Sequence, residues 1–351
     1  MYLLFSEVEL APLSGLLQRI RKAVLLTHLY PDGDAIGAIQ GLAAFFRATG
    51  IEVHTIVPSP YPAFLGCLDQ DKQYKILIYK HDPKACKQAV EDADAIFCLD
   101  MNMISRLDAL DPLVRCVSKP KILIDHHPNP VKEEFDMVFS RPELSSTCEL
   151  IFRLMGQLNI LDHCPPEAVG PLYVGLMTDT NNFVHSVTAE TFEVAAALLH
   201  LGVNKEEVQQ QVFGSFSEGR MRFMGHALCN RMVLAKPYPA AYMVLSLADQ
   251  EQYGFRPGDT EGFVNLPLQI AQIDISMLFV ETPEFVRVSL RSRNGIDVLD
   301  MAKQFFSGGG HKMAAGGRLY TSLASLPAKV FEALEKTFGP IIVDQKDDAQ
   351  D

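Results

Sequence analysis

The stretch His28-Leu29-Tyr30-Pro31-Asp32-Gly33-Asp34 constrains this chain more than any other. Residues 23–26, Ala-Val-Leu-Leu, precede it and have the length and composition of a buried strand. Residues 35–48 follow with an amphipathic helical pattern that ends at Gly50, a glycine suited to close a helix. A histidine and two aspartates therefore fall on the turn where a strand gives way to a helix, and Pro31 and Gly33 tighten that turn. In open α/β sheets this edge, the carboxyl end of the strands, is where ligands bind. Two carboxylates so close in the chain repel each other unless something positive lies between them.

The same arrangement recurs downstream. Residues 52–57 read as a second strand, closed by Pro58 and Pro60, and 75–78 as a third short run. Residues 95–99 read as a buried strand ending on Asp100, and 121–124 as another ending on Asp125-His126-His127. Apolar runs alternating with helical patterns predict an α/β fold with a doubly wound, mostly parallel sheet. An opening helix is expected over 12–22, with Pro12 in its first turn. Three more helices are expected over 146–158, 167–177 and 190–201, with Asp179 on a polar loop, 178–183, between the last two.

A length of 351 residues suits two domains. The pattern places a first, larger domain at 1–203, a helical linker at 204–236, a smaller α/β domain at 237–343 and a disordered tail at 344–351. In the smaller domain, strands are expected at 242–247 and 318–320, a hairpin at 275–290, and helices at 261–270, 297–306 and from 326 onward. Between two of these elements lies Gly308-Gly309-Gly310-His311, a run whose successive backbone N–H groups can converge on an anion.

Composition excludes several classes. No run approaches the roughly 18 apolar residues of a membrane span, and the N-terminus lacks the basic region of a signal peptide. The seven cysteines are scattered, odd in number and without a Cys-x-x-Cys pair, as expected of free thiols in a reducing cytoplasm. A net charge of −12 disfavours long nucleic acid, though local positive charge can still bind a short anion.

The candidate ligands are His28, Asp32, Asp34, Asp100, His126 and Asp179. Without sulfur they do not suit structural zinc. Carboxylates with some imidazole suit Mn²⁺, with Mg²⁺ or Co²⁺ as substitutes. Six are too many for one ion that keeps open positions; they suit two ions about 3.5–4 Å apart with a shared carboxylate.

The set resembles the DHH phosphoesterase superfamily, named for the triplet that stands here as Asp125-His126-His127. The segment from Arg287-Val288-Ser289-Leu290-Arg291-Ser292 to Gly308-Gly309-Gly310-His311-Lys312-Met313-Ala314-Ala315-Gly316 resembles the DHH-associated substrate-binding domain. The branch it is most similar to comprises bacterial oligoribonucleases that also dephosphorylate 3′-phosphoadenosine 5′-phosphate (pAp). The resemblance implies that His28 and Asp32 hold one ion and Asp34 and His126 the other, with Asp100 and Asp179 bridging or nearest both. It makes His127 a non-ligand that faces the phosphate, and Asp125 the orienter of a metal-bound imidazole; His127, Asp100 and Asp125 are the implied catalytic residues. Arg106 falls where the family has a phosphate-contacting arginine. Arg291, the backbone of Gly308, Gly309 and Gly310, and His311 would grip the far end of the substrate; Arg293 and His185 are weaker candidates. The implied substrates are short oligoribonucleotides and pAp, with no long duplex and no membrane partner, and a homodimer is left open. The alternatives are a linear dinucleotide (pApA-type) phosphodiesterase, a RecJ-like exonuclease, or a nucleotide-binding module without catalysis; such a module would be expected to lack a ligand, whereas all six positions are filled.

Overall fold

The computed structural model describes residues 3–71, 74–161 and 164–340, so the expected tail lies outside the described residues. The chain divides into two compact units, Met1–Ser215 and Phe216–Asp351.

The first unit runs α1 (Glu7–Leu17), β1 (Lys22–Leu26), α2 (Gly33–Ala48), β2 (Glu52–Val57), β3 (Leu77–Ile78), α3 (Pro83–Asp92), β4 (Ala95–Leu99), α4 (Asp111–Cys116), β5 (Lys121–Asp125), β6 (Met137–Ser140), α5 (Thr147–Gln157), α6 (Pro166–Asp179), α7 (Ala189–His200) and α8 (Lys205–Phe213). Its six strands form one sheet in the order β3-β2-β1-β4-β5-β6, and every pairing is parallel. The central strands β1, β4 and β5 are buried on both faces, which is why the sequence shows near-continuous apolar runs there. Ala23 and Leu25 of β1 face the core formed with α2, α5, α6 and α7. Val24 and Leu26 face the opposite core, with α3 and α4. The strand order reverses between β1 and β4, the switch point where such sheets bind ligands.

The central helix α2 is buried from Gly33 to Phe46 and packs closely on α6. A Cβ at Gly37 would sit 2.5 Å from the Pro171 carbonyl oxygen, and one at Gly175 would sit 2.8 Å from Asp34 Oδ1. Glycine at both positions lets the two helices bring Asp34 and Asp179 to the same edge of the sheet.

Several elements differ from expectation. The opening helix starts at Glu7, not Pro12, because Ser6 and Glu9 form a reciprocal capping box; Pro12 lies inside the helix. Asp179 is the last residue of α6 rather than a loop residue. The edge strand β6 has no expected counterpart. Residues 204–236 contain helices, but α8 belongs to the first unit and the next helix to the second.

The second unit runs α9 (Glu218–His226), β7 (Met232–Leu234), β8 (Ala240–Leu245), α10 (Leu247–Gln252), β9 (Ile275–Glu281), β10 (Val286–Ser292), α11 (Val298–Phe305), β11 (Gly309–His311), β12 (Ala314–Leu319) and α12 (Leu326–Phe338). The sheet order is β11-β12-β10-β9-β8-β7, antiparallel except for the β8–β9 pair. Helices α11 and α12 cover one face through Val286, Val288 and Leu290. The expected helix at 261–270 is instead a tighter 3₁₀ segment, Phe263–Gln269, carrying Pro267.

Asp249 anchors α10. It accepts hydrogen bonds from Arg231, His226, and the N–H and hydroxyl of Ser246. Burial pushes its carboxyl up, but Arg231, Ser246 and His226 together hold it well below the usual carboxylate range. Its stabilisation is therefore present above the unfolded pKa of about 3.9 and is lost as pH falls below that value. Asp249→Asn should cost about 2 kcal/mol at neutral pH, less than a fully buried pair because Arg231 is half exposed. Urea denaturation at pH 7 measures this, and the deficit should shrink as the pH is lowered toward 3.

Candidate metal centre and its surroundings

The turn after β1 places His28, Asp32 and Asp34, while Asp100 follows β4 directly. Asp32 caps α2, its Oδ1 accepting from the Ala35 N–H at 3.0 Å. Asp100 adopts a left-handed backbone, φ 57°, a conformation aspartate tolerates better than most residues.

Two imidazoles are oriented alike. The Nδ1–H of His28 faces the Leu29 carbonyl oxygen at 2.9 Å, and that of His126 faces the Leu144 carbonyl oxygen at 3.2 Å. These contacts assign the proton to Nδ1 and leave the Nε2 lone pair pointing into the carboxylates. His28 Nε2 lies 3.4 Å from Asp100 Oδ2. His126 Nε2 lies 3.4 Å from Asp179 Oδ2, 3.7 Å from Asp100 Oδ1 and 3.9 Å from Asp34 Oδ2. Two groups lie around these imidazoles, His28–Asp32–Asp100 and Asp34–His126–Asp179, in each of which one ligand atom per residue lies within 4.8 Å of the others, and Asp100, Asp125 and His127 form a further such group. Asp100 touches both groups, one through each oxygen.

The electrostatics call for a cation. Burial and the neighbouring Asp100 and Asp179 raise the Asp34 carboxyl well above its usual range, although its oxygens accept the Thr147 N–H at 2.7 Å and the Cys148 N–H at 3.0 Å. Burial pushes Asp100 up as well, but His28, His127 and His126 outweigh it and hold it well below its usual range. Burial lowers His126, and the charges of Asp34, Asp100 and Asp125 more than offset that. Unprotonated Nε2 atoms facing crowded aspartates are a donor set that fits divalent ions of the Mn²⁺ and Mg²⁺ type.

His127 differs from its neighbour. Its ring meets that of His126 edge to face at 5.0 Å, but its Nδ1–H donates to Asp125 Oδ1 at 2.7 Å. Asp125 is thus hydrogen-bonded to His127, the imidazole that the resemblance leaves off the metal, and not to His126. The second oxygen of Asp125 is buried with no hydrogen-bond partner among the described residues. Burial lowers the His127 pKa, Asp125 opposes this, and nearby Arg106 adds to the lowering. Arg106 lies on the 3₁₀ segment Ile104–Leu110, half-buried, and its carbonyl accepts the Leu29 N–H at 2.9 Å.

In the second unit, register aligns Arg291 with Ala314, and Ala314 with His311. Arg291 and His311 therefore share the sheet face opposite α11 and α12. The glycine run is part of the sheet rather than a separate loop. The Gly308 N–H is taken by the Ala302 carbonyl at 3.0 Å, and Gly309 and Gly310 belong to β11. A Cβ on Gly308 would overlap the Gly316 carbonyl oxygen, and one on Gly317 that of Phe306; these glycines permit close backbone packing. Arg293 is tied to Asp274 at 2.9 Å and to the Leu268 carbonyl. His185 lies exposed in the turn after α6.

Sequence reasoning missed Thr147. It lies at the start of α5, where its signal was that of a helix terminus alone.

The model of the DHH family N-terminal domain matches residues 22–176, and that of the DHHA1 domain matches residues 238–339. A Thermus thermophilus protein named bifunctional oligoribonuclease and PAP phosphatase NrnA is 30% identical over 298 residues, covering 84% of this chain and 83% of that protein. A Bacillus subtilis protein of the same name is 26% identical over 307 residues, covering 85% and 89%. Among solved structures, an exopolyphosphatase-related protein from Bacteroides fragilis superposes with a TM-score of 0.88 at 34% identity, covering 96% of this chain and 98% of that one. RecJ from Thermus thermophilus shares the fold, with a TM-score of 0.56 at 17% identity, covering 95% of this chain and 55% of that one.

Proposed function

The chain belongs to the DHH family and is a hydrolase acting on phosphate esters, and on that premise we propose that it is a manganese-dependent phosphoesterase converting short 5′-phosphorylated oligoribonucleotides to mononucleotides and pAp to AMP. One observation carries the reading: two imidazole Nε2 atoms and four carboxylates converge at the switch point of the sheet in two groups that share Asp100. His28, Asp32 and Asp100 would hold one ion; Asp34, His126 and Asp179 the other. Two such ions, when bound, acidify a water and offset charge on the oxygens around phosphorus. His127, held by Asp125, donates a hydrogen bond or a proton to the phosphate, and Arg106 adds positive charge beside it. Arg291, His311 and the β11–β12 hairpin contact the nucleotide away from the reacting bond. Relatives over most of the chain are named for oligoribonuclease and PAP phosphatase activity, which supports the substrate class. Among the described residues no helix is long and apolar enough to cross a membrane.

The test is a product-resolved assay with Mn²⁺ over pAp and 5′-phosphorylated dinucleotides to pentanucleotides, with a chelated control. AMP and mononucleotides should form only with the metal. Turnover of pApA alone would favour the dinucleotide reading, and full activity in excess chelator would overturn the metal assignment. Arg291→Ala should raise KM for nucleotide substrates by about 10- to 100-fold, the loss of one charge-assisted hydrogen bond. Hydrolysis of bis(p-nitrophenyl) phosphate should scarcely change. Equal loss on both substrates would place Arg291 beside the reacting phosphate.

A further inference from the structure

We infer that Thr147 is the positioning residue that holds the two halves of the metal centre in register. The inference rests on the two-ion reading above. Thr147 is fully buried at the first position of α5. Its N–H donates to Asp34 Oδ2 at 2.7 Å, and its hydroxyl donates to Asp100 Oδ1 at 2.9 Å. Asp34 belongs to one ligand group and Asp100 to the other. One residue therefore grips a carboxylate of each group, with a backbone donor for the first and a side-chain donor for the second.

The hydroxyl is not needed to start the helix. Ser146 already caps α5, its Oγ accepting the Glu149 N–H at 3.0 Å. A buried hydroxyl aimed at a carboxylate instead fixes which Asp100 oxygen is left for which neighbour: Oδ1 is drawn toward Thr147 and His126, and Oδ2 remains with His28. The turn that carries Thr147 is itself immobilised. Glu149, also fully buried, accepts from Ser145, from the Thr191 hydroxyl at 3.0 Å and from Arg153 at 3.2 Å. Thr191 belongs to α7, so the grip on both aspartates is braced by a second helix. Partners that orient ligands in this way set metal affinity as well as rate.

Mn²⁺ titration of the whole chain, followed by the electron paramagnetic resonance of free Mn²⁺, tests this. The parent should bind two ions. T147V, isosteric but without the hydroxyl, should bind at least one of them roughly 10- to 100-fold more weakly, while T147S should stay within about threefold of the parent. A purely structural role would lower the melting temperature of T147V and leave both affinities unchanged; that result overturns the inference, as does a T147S variant as weak as T147V. If T147V does not fold, T147A carries the same comparison, and failure of both to fold beside a normal T147S makes the hydroxyl a folding element and also overturns it. A parent that takes up no Mn²⁺ overturns the two-ion reading itself, and this inference with it.

Discussion

Asp100→Asn should reduce phosphoester hydrolysis by about 10³- to 10⁵-fold, since several kcal/mol of charge stabilisation is at stake and each 1.36 kcal/mol is tenfold in rate. Asp100 is 2% exposed and faces His28, His126 and His127 at 3.4, 3.7 and 3.6 Å. Asparagine keeps the shape, still accepts from the Thr147 hydroxyl and tolerates the left-handed backbone at φ 57°. It removes one negative charge from between the two ligand groups and turns an N–H₂ toward an imidazole. In the metal-free chain the charge loss both relieves the repulsion that raises Asp34 and gives up the attraction to His28, His127 and His126 that holds Asp100 below its usual range. Turnover should collapse and bound Mn²⁺ should fall below two per chain. Activity within tenfold of the parent would show that Asp100 is not shared between the groups.

The parts of this molecule that were legible in the sequence are those whose physics is local. Strands buried on both faces give short apolar runs, and a ligand at the carboxyl end of a parallel strand must follow such a run directly. His28, Asp100 and His126 are therefore visible as polar residues closing apolar stretches. Asp179 was found, but on the wrong element: nothing in Thr178-Asp179-Thr180 shows that α6 continues to Asp179. The helix ends there because Asn181, Asn182 and Phe183 take positive φ, with the Thr180 hydroxyl accepting the Phe183 N–H at 2.9 Å.

What was not legible depends on partners distant in the chain. Thr147 reads as a helix start because its bonds to Asp34 and Asp100 span 113 and 47 residues. The glycine run at 308–310 reads as an anion loop, since a sequence shows the absence of side chains but not the backbone that fills the space; beside Gly308 that backbone belongs to Gly316 and Gly317, and beside Gly310 to Ala314 and Ala315. The pairing of Asp125 with His127 rather than His126 is likewise a matter of ring orientation. At the end of a strand adjacent side chains point apart, so Asp125 and His127, two residues apart, share a side. That periodicity was available in the triplet, and it pairs Asp125 with His127 while His126 points elsewhere.

His127→Ala should consequently separate catalysis from metal binding. Its Nδ1–H is engaged by Asp125 at 2.7 Å, which fixes the tautomer and turns the ring as a unit. Asp125 is wholly buried, and one of its oxygens lacks any partner among the described residues. Such a carboxylate is costly to keep, and its one side-chain hydrogen bond goes to His127. With Nδ1–H held by Asp125, Nε2 can donate only from the protonated ring, a form that Asp125 favours and that burial and the positive Arg106 oppose. The variant should bind two Mn²⁺ as the parent does and lose about 10²- to 10⁴-fold in kcat, the range for a positioned acid or base. Asp125→Asn should give a smaller loss in the same direction, because it weakens the hold on His127 without removing the ring. Metal analysis of the purified variants and steady-state kinetics on pAp check both. Loss of an ion from His127→Ala would instead make His127 a ligand, and a larger effect from Asp125→Asn than from His127→Ala would show that Asp125 acts through another group.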